Sequence, residues 1–122
     1  MLIRSVRDLP AFTAGDSCTL RELLNPAEDS TLEGVGYSLA HATVPAKSAT
    51  VRHRLNSSEV YFILRGTGLM HIDNETHEVG PGDAVYIPPD AIQLVENPAD
   101  TPLEFLCIVD PAWIPSCETV LE

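Results

Sequence analysis

Short runs of strand-forming residues recur along the chain, each closed by proline, glycine or a polar turn. Residues 60–64 read Val-Tyr-Phe-Ile-Leu and residues 103–109 read Leu-Glu-Phe-Leu-Cys-Ile-Val. Further runs fall at 35–44, 50–55, 69–73, 78–79, 84–87 and 92–96. Many short strands with turn signals between them predict an all-β sandwich or barrel. No stretch past residue 34 carries a long helical period. Residues 19–24, Thr-Leu-Arg-Glu-Leu-Leu, are ambiguous: Thr19 and Glu22 suit a helix capping box, and the same residues suit a strand. There is no repeat, no low-complexity tract and no linker. A single domain is expected, with the barrel over residues 35–110. Residues 1–34 form an N-terminal strand or extension packed on the barrel or on a partner, and residues 111–122 form a tail in which Trp113 is an aromatic anchor.

Strand parity sorts the side chains into faces. His53 and Leu55 share one face, Glu59, Tyr61 and Ile63 another, and Gln93, Val95 and Asn97 a third. The runs at 60–64 and 103–109 are apolar on both faces. A sheet facing water on one side alternates, so the outer faces of these strands need cover, and a homodimer supplies it most simply.

At 122 residues with 44% apolar content, the chain suits one hydrophobic core. No apolar run is long enough to span a bilayer, and the first residues lack an apolar signal centre. A cytoplasmic location is therefore expected. Cys18, Cys107 and Cys117 are widely spaced and form no CxxC pair, which removes a zinc ribbon and a redox dithiol. Cys107 reads as a small core hydrophobe or as a thiol lining a cavity. The net charge of −11 disfavours nucleic acid and anionic membranes as partners. Lys47, Arg52, Arg54 and Arg65 gather near one another in sequence, either as solvated edges or as a positive rim for a small carboxylate or phosphate.

Two blocks carry candidate chemistry: His53-Arg-Leu-Asn-Ser-Ser-Glu59 running on to Gly66, and Gly82 through Pro88 and Gln93 to Asn97. They resemble the two sequence motifs of the cupin superfamily, the small double-stranded β-helix or jelly-roll barrels. His53, Glu59 and Gly66 stand in the first motif, with Leu55 at its second histidine and Lys47 at its leading glycine. Gly82, Pro88 and Asn97 stand in the second, with Asp90 at a glycine and Gln93 at the histidine. The resemblance spans residues 35 to 110 and turns the three faces above inward.

In a typical cupin such positions bind a divalent metal. Carried over, His53, Glu59 and Gln93 are the implied metal ligands, and Leu55 cannot take part. One nitrogen and two oxygens make a site poorer than the usual imidazole-rich set. His41, Leu55, Tyr61 and Gln93 are expected to line a substrate pocket, with Glu59 and Tyr61 as catalytic candidates. His41 and His71 also read as ordinary structural histidines, and His77 as a solvated turn residue. Three functions stay open for a pocket that takes a small polar or anionic molecule. One is a metal-dependent dioxygenase, isomerase or lyase, with sugar-phosphate isomerases as one branch. Another is a binding module without chemistry. The last is a metal-free acid–base enzyme using Glu59 and His53.

Overall fold

A computed structural model of the protein describes residues 1–14 and 17–121. The barrel strands are β3 (Ser38–Val44), β4 (Ser48–Ala49), β5 (His53–Leu55), β6 (Ser58–Arg65), β7 (Gly68–Ile72), β8 (Glu75–Val79), β9 (Ala84–Ile87), β10 (Gln93–Asn97) and β11 (Leu103–Asp110). They are preceded by β1 (Phe12–Thr13) and β2 (Thr19–Leu24), and followed by β12 (Glu118–Val120). Two antiparallel sheets result. One has the order β1-β2-β3-β11-β6-β9, and the other β12-β5-β10-β7-β8 with β4 added to β10. This is the all-β cupin jelly roll that the two motifs imply. No helix among the described residues is long and apolar enough to cross a membrane.

The core fills the space between the sheets. Ala42, Val44, Tyr61, Ile63, Ile87, Leu103 and Phe105 reach in from one sheet, and Met70, Val79 and Val95 from the other. The strict alternation of buried and less buried positions along β10, and of Leu103, Glu104 and Phe105 at the start of β11, is the two-residue period made visible. Tyr61 and Phe105 stack at 4.2 Å between ring centroids.

Residues 19–24 resolve as strand β2. It pairs with β1 through Phe12↔Leu20 and with β3 through Leu20↔Ala42. The Thr19–Glu22 capping box therefore does not form. Pairing with a long neighbouring strand satisfies more backbone groups here than one isolated helical turn would. The two departures from the motif glycines also have a backbone meaning. Lys47 and Asp90 both keep the left-handed conformation, with φ of 56° and 67°. The turns still demand the geometry that glycine adopts freely.

Candidate functional site

Two of the inward faces named from parity, those of β6 and β10, contribute to one buried polar group. Strand β6 carries Glu59 and Tyr61 inward, and β10 carries Gln93 opposite them. The Tyr61 hydroxyl donates to Gln93 Oε1 at 3.0 Å, and Gln93 Nε2 donates to Glu59 Oε1 at 2.8 Å. The carboxylate can take only the amide's N–H, which fixes the orientation of the carboxamide. The second oxygen of Glu59 accepts from the Cys107 thiol at 2.7 Å. Cys107 comes from β11, where it pairs directly with Tyr61. Tyr61, Gln93, Glu59 and Cys107 thus form a chain of hydrogen bonds whose first three members are almost fully shut off from solvent.

His53 pairs with Gln93 across β5 and β10 and is likewise buried. Its Nδ1 lies 2.8 Å from the Val51 carbonyl, so Nδ1 carries a proton and donates it there. Leu55 follows on the same face and packs with Val109 and Cys117. Burial raises the pKa of the Cys117 thiol, with neighbouring Glu118 adding to the effect.

Above this group lies a cavity of about 300 Å³. His53, Leu55, Glu59, Tyr61 and Cys107 line its barrel side. Phe12, Ala14, Cys18, Leu20 and Glu22 from the N-terminal hairpin close one wall, and Trp113 and Glu118 from the C-terminal tail close another. The tail is anchored by Asn25 Nδ2 on the Trp113 carbonyl at 2.9 Å and by the Trp113 backbone N–H on Ser38 Oγ at 2.9 Å. Trp113 Nε1 donates to Glu118 Oε1 at 3.0 Å. Glu118 Oε2 is buried with no hydrogen-bond partner.

His53, Glu59, Tyr61 and Leu55 are therefore brought to one cavity, while Gln93 stands just behind its wall, bonded to Glu59. His41 is not brought there. It faces the opposite side of β3, where Nε2 meets Glu104 at 3.2 Å. His71 bonds Glu96 on the outer face of the second sheet. His77 is exposed on β8. The four cations clustered in sequence also stay away from the cavity: Lys47 pairs with Asp100, Arg65 with Glu104, and Arg52 and Arg54 are exposed. Parity along β11, shared by Leu103, Phe105, Cys107 and Val109, is the signal that places Cys107 inward. Glu22 could have been found the same way once residues 19–24 were read as a strand. Glu118 had no periodic signal to betray it.

Comparison with known proteins agrees with the architecture. A family profile described as the cupin domain matches residues 40–109. An uncharacterized protein of Methanocaldococcus jannaschii is 43% identical over 112 residues, which covers 91% of this chain and 87% of that one. A cupin-2 domain from Rhodospirillum rubrum superposes with a TM-score of 0.77 at 23% identity, covering 100% of this chain and 80% of that chain. A predicted oxalate decarboxylase from Thermotoga maritima superposes with a TM-score of 0.76 at 20% identity, covering 91% and 99% of the respective chains.

Proposed function

The chain belongs to the cupin family, and we propose that it is a small-molecule-binding cupin that holds its ligand in the cavity against Glu59 without a bound metal. The observation that carries this reading is the partly open cavity of about 300 Å³ with an ordered polar group at its floor. A concave, mostly apolar space with a few fixed polar atoms is the usual form of a small-molecule site.

The donor set does not fit a divalent ion. A buried leucine, Leu55, occupies the position of the second imidazole. Gln93 directs Oε1 to Tyr61 and Nε2 to Glu59, and the other Glu59 oxygen accepts from Cys107. Among the described residues, no three or more His, Cys, Asp and Glu side chains converge as a ligand set. An ion at His53 and Glu59 would gain only two protein ligands and would share the Glu59 oxygens with the Gln93 and Cys107 donors.

Acid–base turnover is a second reading, favoured by the placement of His53 and Glu59 on the same cavity wall, both buried. In it Glu59 takes a proton from the ligand, His53 serves as the second proton-transfer group, and Tyr61 steadies Glu59 through Gln93.

The protein purified without a metal-binding tag is expected to hold less than about a tenth of an equivalent of divalent metal, with a melting temperature indifferent to chelator. A small molecule that raises the melting temperature should lose that effect in Ala40→Leu, which fills the cavity. Stoichiometric metal that disappears in His53→Ala overturns the metal-free reading. A pH–rate profile that ignores chelators and collapses in Glu59→Gln supports turnover over binding alone.

We further infer that a second copy of the chain covers the outer face of the six-stranded sheet containing β6 and β11. Leu39, Ile108, Val60 and Tyr86 lie side by side across four strands, and Leu106, Phe62 and Ala84 form the adjacent row. Phe62, Leu64 and Tyr86 are 39%, 43% and 61% exposed. A continuous apolar face of this kind is uncommon on a chain that stays alone.

A further inference from the structure

We propose that the outer face of β2 and β3 carries a second binding site, one for a phosphate group, built around Arg7 and Arg21. It is independent of the cavity and of the ligand held there.

Strand parity separates the two sites. Leu20 and Glu22 on β2, with Ala40 and Ala42 on β3, face the cavity. Arg21, His41 and Thr43 alternate with them and line a recess on the other side of the same strands. Arg21 pairs directly with His41 across the sheet, and Thr43 with Glu104 on β11. A single 3-10 turn, Val6–Asp8, packs on β2 and brings Ser5 and Arg7 to the recess, with Val6 and Pro102 as its apolar walls. Arg4 fastens this segment: its Nη1 donates to the Leu23 carbonyl at 2.9 Å, and its Nη2 contacts Asp29. The recess lies toward the β2 end of the sheet, beyond the apolar rows of β6 and β11.

The charges in the recess favour an anion. Arg7 and Arg21 both line it, and among the described residues neither forms an ion pair. Arginines without an acidic partner are unexpected in a chain with 7 cations and 18 acids. Glu104 also lines the recess, but both its oxygens are engaged: Oε1 lies 3.2 Å from His41 Nε2, and Oε2 lies 3.5 Å from Arg65 Nη1. His41 Nδ1 is shut off from solvent, so the imidazole holds Glu104 rather than reaching the ligand. Asp8 follows Arg7 in the chain and does not line the recess. Two guanidinium groups at one space repel each other, and a shared anion replaces that repulsion with charge-assisted hydrogen bonds. Screening over about 8 Å at physiological salt lets these near charges outweigh the distant acids behind the net −11.

The donor set selects a phosphate over a carboxylate. Each guanidinium presents paired N–H donors that match two oxygens of one anion. A phosphate has oxygens enough to meet a fork from each arginine, whereas a carboxylate is filled by one. Thr43 and Ser5, whose side chain makes no capping bond, add hydroxyl donors at the margin.

The test follows the Arg7 and Arg21 Nε–H signals of the full chain by NMR. Inorganic phosphate, phenyl phosphate or acetate is added at constant ionic strength. Inorganic phosphate should give saturable shifts at both arginines, with acetate at least about tenfold weaker. Arg7→Gln and Arg21→Gln should each weaken phosphate binding at least about tenfold, and Arg54→Gln, which alters an exposed arginine on β5, should leave it unchanged. Arg7 lies outside both sheets, so its variant stays informative if Arg21→Gln disturbs β2. Tighter binding of phenyl phosphate supports a phosphate carried on an organic molecule, and equal or weaker binding supports the free anion. Acetate that matches phosphate overturns the phosphate preference. Shifts that never saturate, or an equal loss in Arg54→Gln, overturn the site.

Discussion

Gln93 joins two strands' worth of polar atoms by itself. Its carboxamide accepts from Tyr61 and donates to Glu59. Gln93→Leu removes both partners while keeping the volume, and leaves a buried hydroxyl and a buried carboxylate short of a bond. The expected loss is about 2–4 kcal/mol in chemical denaturation. Cys107→Ser keeps a donor for Glu59 and should cost less than about 1 kcal/mol. Asp29 offers a test by acid. Its carboxyl accepts from Thr31 and contacts Arg4, which lowers its pKa from 3.8 to about 2. A depressed folded-state value contributes stability above pH 3.8 that is lost as pH falls through about 2. NMR should show Arg4 releasing from Asp29 in that window, later in acid than a free carboxylate would allow. At this level His53, Glu59 and Gln93 were legible from parity and motif spacing together, and Tyr61 from parity alone. Glu118 was not, because a lone carboxylate in a proline-rich tail looks like any solvated charge until the tail folds back.

Turn positions govern how the strands meet. Gly66 has φ of 82°, and a Cβ there would stand 2.4 Å from the Pro102 carbonyl oxygen. Gly66→Ala is therefore expected to cost more than about 2 kcal/mol, since strain and a backbone clash add. Gly82 has φ of 90° with open space around it, so Gly82→Ala should cost only about 1–2 kcal/mol. Lys47→Gly removes the penalty of a side chain at φ 56° and should be neutral to slightly stabilising. Denaturant midpoints of these variants rank the effects directly. Several strands were readable: the stretch 84–87 coincides with β9, β6 adds two residues before and one after the expected 60–64, β10 is shifted by one residue from 92–96, and β11 adds Asp110 to 103–109. β1, β4 and β12 were not, because two or three residues cannot display a period. Their pairing is decided by neighbours far away in sequence.

Considered as a particle, the molecule has one apolar sheet face still turned outward. If a second copy covers it, Phe62→Glu places a charge at the centre of the contact. Analytical ultracentrifugation should then show monomer for the variant and dimer for the parent, with circular dichroism unchanged. A monomeric parent across micromolar concentrations removes that reading. The double-sided hydrophobicity of β6 and β11 made this face visible from sequence. The cavity was less visible, because it lies between the barrel and segments that enter from both ends of the chain.

That origin has an evolutionary corollary. The stretch shared with the cupin profile, residues 40–109, provides Glu59, Tyr61 and the scaffold behind them. The hairpin with Phe12, Leu20 and Glu22, and the tail with Trp113 and Glu118, fall outside it. A lineage could therefore retune which guest is admitted by rewriting its two ends, leaving the inherited barrel almost untouched. Swapping these ends between relatives should transfer guest preference more readily than any exchange inside the barrel.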